Sequence, residues 1–471
     1  MKKILIANRG EIAIRIARSV SDLGMLPVGI YSEDDGNSLH LTKMNENHKL
    51  SGKGVSAYLD IKEIVSISKE HNIDAIHPGY GFLSENQNFA KNIRKEGIIF
   101  IGPDEKTLKS LGQKSLARDL AEKLGIPVIK GTNKKTSLEE SKKFFKSLKK
   151  NSQVMLKAIH GGGGRGMRTI SSLKDLEEAF DRASSEAKNS FGNSSLYIEE
   201  CLKNYRHIEV QIIGDGKGSI SHLWERECSV QRRHQKILEI APSPSISDLL
   251  REEIIDAALR IGRSLNYSGL GTIEFLVNPD KEDFRFLEGN ARLQVEHTVT
   301  EEILNLDLVS SQIKISQGKT LKQLKLDQDN IPKPSGFAIQ SRVNMETIDS
   351  KGNTKPRGGT FNRFDLPSGP GVRVDTYGYS GYETNPLFDS LIAKVITFSP
   401  TDSYSKGLKR NYRALCEFGI EGVETNIGLL KNILTNKNFK ANKVHTNFLD
   451  LELTNLIEEK THKKLYGPFE E

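Results

Sequence analysis

Residues 4–7 form a short apolar run, the size of a buried strand. Behind it Ile12, Ile16, Val20 and Leu23 recur at helical spacing, Gly24 closes the helix, and residues 28–31 read as a second strand. Further strands end near residues 77 and 101. A chain that returns to a strand only after a helix lays its strands parallel, because parallel neighbours need a long crossover rather than a tight hairpin. Over residues 1–112 this pattern specifies an α/β fold, a doubly wound parallel sheet.

The pattern changes after residue 112. Residues 112–125 read as a helix. Residues 137–150 read as a Lys-rich amphipathic helix with Ser137 as its cap and Glu139 and Glu140 in its first turn. A strand at 154–158, a glycine-rich loop, a helix at 173–188 and a strand at 196–199 make a small α+β insert, suited by its glycines to move as a lid. Strands follow at 207–213, 219–225, 272–277 and 284–288, with a helix at 249–265. A last α+β unit has strands at 338–343, 372–375 and 391–398 and a helix at 404–418. The expected organisation is residues 1–112, then 113–334 with a lid at about 131–202, then 335–450, with a tail at 451–471.

A length of 471 residues also predicts about three units. Hydrophobic residues are 36% and charged residues 27%, which excludes disordered and collagen-like chains. Cys201, Cys228 and Cys416 have no CxxC spacing and cannot build a disulfide framework, so a reduced, intracellular protein is expected. No apolar run approaches the roughly 20 residues that span a bilayer. MKKILIANRG is too short in apolar residues for a signal peptide, so the start reads as mature and cytoplasmic. The net charge of +7 is mild, and no basic block interleaves with aromatics; neither nucleic acid nor membrane is an expected partner.

Four segments carry chemistry. Residues 161–166, containing Gly162, Gly163 and Gly164, follow a strand bearing Lys157; side-chain-free backbone beside Arg165 lets N–H groups approach a polyphosphate. Glu274 and Glu288 lie on neighbouring strands with Asn290 two residues on, either as hard oxygen ligands for a divalent ion or as solvated strand-end acids. Glu288, Asn290, Arg292, Gln294 and Glu296 alternate with small or apolar residues, as on one face of an extended segment. That row reads either as the lining of an anion cleft or as an exposed strand face. The run 225–236 concentrates Arg226, Arg232, Arg233, His234 and Lys236, which also reads as a basic surface patch; Cys228 within it reads as a buried core thiol.

In order along the chain, KILIANRGEIAIRIAR (3–18), IHPGYGFLSEN (76–86), LKAIHGGGGRGMR, RHIEVQI, ERECSVQRRHQK, GTIEFL, EGNARLQVEHTVTEE and FDSLIAKV (388–395) resemble the biotin carboxylase family of the ATP-grasp superfamily. The resemblance implies a Rossmann-like N-terminal domain, an ATP-grasp domain with a glycine-loop lid, and a C-terminal α+β domain. It implies that Lys114 and Lys157 hold ATP phosphates. Glu199 and Leu202 would meet adenine at a hinge, with His207, Gln231, His234 and Leu276 around the nucleotide. Glu274, Glu288 and Asn290 would hold Mg²⁺ or Mn²⁺. Lys236, Arg292, Gln294 and the Val295 backbone would form the bicarbonate pocket, with Glu296 as general base. Arg342 would stabilise the biotin enolate, and Tyr80 would line the biotin site.

The implied reaction runs through carboxyphosphate to carboxybiotin. Its partners are bicarbonate and ATP, a separate biotin carboxyl carrier protein, and a carboxyltransferase subunit. The carrier is expected on another polypeptide because no Met-Lys-Met segment occurs. A homodimer is implied, with Arg15 and Arg18 at its interface unless they are solvated helix arginines. The family reading also brings acetyl-CoA carboxylase and fatty acid biosynthesis into view, while the final acceptor stays open among acetyl-CoA, propionyl-CoA and pyruvate. Glu200 departs from the family pattern in the hinge, as do Ile159 and His160 before the glycines. The competing classes are another ATP-grasp carboxylate–amine ligase and a non-catalytic nucleotide-binding subunit. Both are disfavoured by the presence of Glu296 and Arg342.

Overall fold

The computed structural model describes residues 1–132, 134–149, 152–159, 167–349, 352–458 and 462. Gly162, Gly163 and Gly164 fall outside the described residues.

The N-terminal unit is a five-stranded parallel sheet. Its central strand Lys3–Ile6 lies between Leu26–Tyr31 and Ala75–His77, with Glu46–Lys49 and Ile99–Phe100 at the edges. Helix Gly10–Asp22 packs Ile12, Ile16 and Val20 against it, so the alternation of strands and helices has the expected consequence. The remaining chain builds an eight-stranded antiparallel sheet. Its order, given by strand, is Asp283–Asn290, Ser268–Asn278, Arg206–Asp215, Ile220–Arg232, Gln235–Ala241, Phe337–Asn344, Leu391–Ser399 and Val372–Thr376. The sheet runs without a break across position 335. Gln235–Ala241 pairs with Phe337–Asn344 from Leu238 opposite Ser341 to Ala241 opposite Ala338. Helix Phe448–Ile457 likewise spans position 450.

Residues 220–232 differ from expectation. The strand does not stop at 225 but continues to Arg232 and turns back at Arg233 and His234 into Gln235–Ala241. Both turn residues have positive φ, 48° and 64°, the left-handed region that tight hairpins need and that side chains oppose. A charged run therefore becomes a hairpin tip.

The α+β insert has the expected strands Gln153–Ala158 and Leu196–Cys201, and a further strand, Met167–Ile170, completes their sheet. Its helix Leu138–Ser147 starts at a capping box between Ser137 and Glu140. It has its own small core of Val154, Leu156, Ile170, Leu176 and Ile198. The N-terminal sheet and the large sheet share another: Ile4, Ile6 and Ile16 pack in one cluster with Leu270, Leu293, Val299, Ala338 and Ile396. Hydrophobic burial thus joins the large units directly and leaves the insert with a core of its own.

Gly336 sits where the chain enters Phe337–Asn344. Its φ is +63°, and a Cβ there would collide with the carbonyl oxygen of Ser399. Gly336→Ala is expected to cost about 2–3 kcal/mol, from the left-handed backbone plus the collision. Urea unfolding measures it as a lower midpoint at unchanged slope.

Candidate active site

Along strand Arg206–Asp215, Ile208, Val210 and Ile212 point into the core, so His207, Glu209 and Gln211 point to the other face. Register extends that polar face sideways. Arg226 lies opposite Glu209, Glu209 opposite Glu274, and Glu274 opposite Glu288, a row of charge across four strands. Arg226 is fully buried. Its guanidinium is satisfied by Glu209, Gln211, Thr272 and Thr300, which is the condition for keeping such a charge from water.

Lys236 enters from the next strand, just past the hairpin tip. Its ammonium reaches Glu209 Oε2 at 2.6 Å, Glu274 Oε1 at 3.1 Å and Glu296 Oε1 at 2.6 Å. On the following strand, the Arg342 guanidinium donates to Glu239 Oε1 at 2.5 Å and to Glu296 Oε2 at 3.1 Å. Glu296 therefore holds a lysine on one oxygen and an arginine on the other while being 0% exposed. Burial opposes its charge, but Lys236, Arg342 and Arg226 outweigh that and hold its carboxyl well below the carboxylate range. Glu274 is depressed in the same way, burial being overcome by Lys236 and His207. Glu209 and Glu239 go the other way. Burial raises both, and Glu296 adds like-charge repulsion against the relief from Arg226 and Arg342 respectively.

The segment 288–296 is extended only as far as Asn290, where strand Asp283–Asn290 ends. Residues 291–296 turn, and Glu296 stands at the N-terminus of helix His297–Leu304. The expected single extended face is thus corrected. The turn nonetheless brings the same side chains to one place, because Glu274 gathers them. Its Oε1 accepts from Asn290 at 2.8 Å and Gln294 at 3.0 Å, and its Oε2 lies 2.7 Å from His207 Nε2. Arg292 bonds Glu85 at 2.9 Å, Gln294 at 3.1 Å and Asn290 at 3.3 Å.

A second region adjoins this one. A cleft here is lined by Lys114, Ser115, Ile129, Tyr197, Glu199 and Phe286 among others. Lys157 is ion-paired with Glu199 on the neighbouring strand. Burial lowers the Lys114 ammonium, with Glu288 opposing and Lys157 adding to the effect. Among the described residues, the acid-rich groups compact enough to hold an ion are His207–Glu209–Glu274 and Glu209–Cys228–Glu296. Glu288 instead exerts its field on Lys114 and Lys157. Glu274 and Glu288, facing each other across the strands, and the Asn290 amide oxygen would offer hard oxygen donors of the kind Mg²⁺ takes. The Gln231 amide bonds His207 Nδ1 at 2.5 Å, and Leu276 lies in register with His207. Leu202 is half-buried, and His234 is exposed at the hairpin tip.

Sequence reasoning missed Glu209, Glu239 and Glu85. Glu209 had a signal: in HIEVQI, three polar side chains alternate with three β-branched ones, which in a buried strand forces polar groups inward. The run 225–236 is not one basic face: Arg226 and Lys236 turn to acids, Arg232 bonds Asp450 and the Gly352 carbonyl, and Arg233 bonds Asn353. Cys228 is fully buried, and burial followed by Glu209 raises its thiol well above the usual range, as a core cysteine requires. Arg15 is corrected too. Rather than standing free for an interface, it is buried within the chain, 2.6 Å from Glu301 and 2.9 Å from Asp307; Arg18 is exposed.

Three family models match in succession: biotin carboxylase, N-terminal domain, over residues 1–108; carbamoyl-phosphate synthase L chain, ATP binding domain, over 113–324; and biotin carboxylase C-terminal domain over 340–451. The biotin carboxylase of Campylobacter jejuni, solved as a complex with β,γ-ATP, superposes with a TM-score of 0.90 at 36% identity, over 96% of this chain and 98% of that one. The chain belongs to the biotin carboxylase family. The biotin carboxylase domain dimer of Hydrogenobacter thermophilus 2-oxoglutarate carboxylase, solved with MgADP, ADP and bicarbonate, gives a TM-score of 0.92 at 37% identity over 98% and 99% of the two chains. Pyruvate carboxylase 1 of Caenorhabditis elegans is 46% identical over 453 residues, and pyruvate carboxylase of Bacillus subtilis 44% over 471, covering 95% and 98% of this chain. This biotin carboxylase chain spans only 38% and 40% of those relatives' lengths. No described helix is long and apolar enough to cross a membrane.

The depressed carboxyls set an acid limit. An unfolded chain binds protons near the ordinary value of 4.5, where folded Glu296 and Glu274 do not, so these groups stabilise the fold above that value and lose that contribution as pH falls toward their folded values. The raised Glu209 and Glu239 act with opposite sign, their effect falling above pH 4.5. In Glu296→Gln, stability is expected to fall less steeply as pH drops below about 4.5. Denaturant melts at stepped pH read the slope.

Proposed function

We propose that the chain uses ATP and bicarbonate to carboxylate biotin presented by a carrier domain. One observation carries the reading: Lys236 and Arg342 meet on the two oxygens of one buried carboxylate, that of Glu296. Glu296 is the general base in this reading. Lys236, Arg292, Gln294 and the Val295 backbone receive bicarbonate, Arg342 faces the biotin ureido oxygen, and Tyr80 lines its site. Lys114 and Lys157 take the nucleotide phosphates, with Glu199, Leu202, His207, Gln231, His234 and Leu276 around the base and the backbone N–H groups of Gly162, Gly163 and Gly164 serving the same phosphates. Magnesium, or manganese in its place, held by Glu274, Glu288 and Asn290, would spread the charge of the phosphates.

The ion pairs make the base responsive to its substrates. While Lys236 and Arg342 lie on Glu296, its proton affinity is held low. Bicarbonate entering on Lys236, and a ureido oxygen on Arg342, draw those cations away, and the carboxylate becomes a better base as the substrates arrive. Glu296 then takes the bicarbonate proton, and the freed oxygen attacks the γ-phosphorus with ADP leaving. Carboxyphosphate breaks down to CO₂ and phosphate, the phosphate takes the N1′ proton of biotin, and N1′ attacks CO₂ while Arg342 stabilises the ureido oxyanion. Closure of the 131–202 insert over the site would keep water from carboxyphosphate. The units assigned are 1–112, 113–334 and 335–450. Relatives named pyruvate carboxylases support a 2-oxo acid as final acceptor, through a carboxyltransferase, over acetyl-CoA and fatty acid synthesis. The dimeric relative supports a homodimer.

ATP cleavage should require bicarbonate and rise on adding free biotin. Glu296→Gln is expected to lower the biotin-dependent rate by about 10²–10⁴-fold. Arg342→Gln is expected to retain bicarbonate-dependent ATP cleavage while losing its stimulation by biotin. Phosphate release assays read both, and ATP cleavage indifferent to bicarbonate and biotin would overturn the reading.

A further inference from the structure

Lys394 belongs to FDSLIAKV, the late motif to which no role attaches. It lies on strand Leu391–Ser399, in register between Arg342 on one side and Asp375 on the other, and is 0% exposed. Its ammonium donates to the carbonyl oxygen of Val295 at 3.2 Å. It also lies 2.9 Å from Glu11 Oε2 and 3.7 Å from Asp375 Oδ2. The other oxygen of Glu11 accepts from the Tyr80 hydroxyl, and Asp375 is held by Arg373. A lysine wholly out of water needs a partner for its charge, and two carboxylates supply that. Charge balance alone does not call for the third contact. The Val295 carbonyl belongs to the peptide bond whose N–H is that of Glu296, so the ammonium holds the backbone immediately before the proposed base. One side chain thereby ties Glu11 of the N-terminal unit and the turn of the central unit to a strand of the C-terminal unit.

We propose that Lys394 is a positioning residue of the carboxylation centre. It fixes the Val295–Glu296 peptide and, through Glu11, the phenol of Tyr80, so that the bicarbonate pocket and the biotin-facing wall keep one mutual geometry. The inference rests on the proposed biotin carboxylase activity. It predicts an effect divided by substrate: contacts to bicarbonate and biotin are set by the gripped peptide and by Tyr80, whereas Lys114 and Lys157 at the nucleotide cleft are not in contact with Lys394.

The test is steady-state kinetics of Lys394→Met, a substitution close in length and without charge, with ATP, bicarbonate and free biotin varied in turn. The expected result is a fall in kcat of about 10²-fold, the scale on which small misplacements of a reacting group act. KM for bicarbonate and biotin is expected to rise, with KM for ATP within about twofold of the parent. A Lys394→Met protein that melts earlier yet shows parental kcat and KM values would overturn the proposal, as would equal rises in all three KM values. Should Lys394→Met not yield folded protein, Glu11→Gln carries the test. It weakens the ammonium's anchorage while leaving an oxygen for Tyr80, and unchanged bicarbonate and biotin constants in it would also overturn the proposal. Parent protein that cleaves ATP without need of bicarbonate would defeat the functional reading instead, a result separable from any of these.

Discussion

Four carboxylates, Glu209, Glu239, Glu274 and Glu296, share a buried chamber with Arg226, Lys236 and Arg342, and almost everything else in the molecule follows from the need to keep those charges matched. Removing such ions from water is costly, and the cost is offset only if each finds partners at hydrogen-bond distance. The partners come from five adjacent strands and one turn, so the sheet must hold its register across all of them. A slip of one residue would turn Glu209 into the core and Ile208 into the site.

The charge arrangement also explains why the glutamates differ. At Glu296 and Glu274 the neighbouring cations outweigh burial and hold the carboxyl's proton affinity low, whereas at Glu209 and Glu239 burial and the charge of Glu296 outweigh the cations they meet and raise it. Similar side chains in one chamber thus have different proton affinities. The large units are bound together by the same logic. One apolar cluster and one uninterrupted sheet join them, and the buried contacts of Lys394 and Arg15 cross between them. The insert carrying strands Gln153–Ala158 and Leu196–Cys201 has its own core.

Much of this was legible in the residues. Regular elements were readable because periodicity is a local property: helix Gly10–Asp22 and strand Leu391–Ser399 lie within a residue or two of expectation. The row from Glu288 to Glu296 was readable as a polar cluster, but its shape was not. Alternation predicts an extended strand, and the turn after Asn290 forms instead because Glu274, from another strand, binds Asn290 and Gln294 together. Strand 220–232 was underestimated for a similar reason. Arg226 and Arg232 look like surface or loop residues until Glu209 and Asp450 are present to receive them.

The sequence by itself determined most of the kinds of element, their order, the family and part of the set of chemical groups at the centre, since these depend on residue type and near-neighbour spacing. Only the tertiary structure decided which charge faces which. Arg15 met Glu301 across 286 positions of chain, Arg342 met Glu239 across 103, and Lys394 met Val295 across 99. Electrostatic pairing depends on separation in space, and spacing along a chain says nothing about that distance until the sheet has closed.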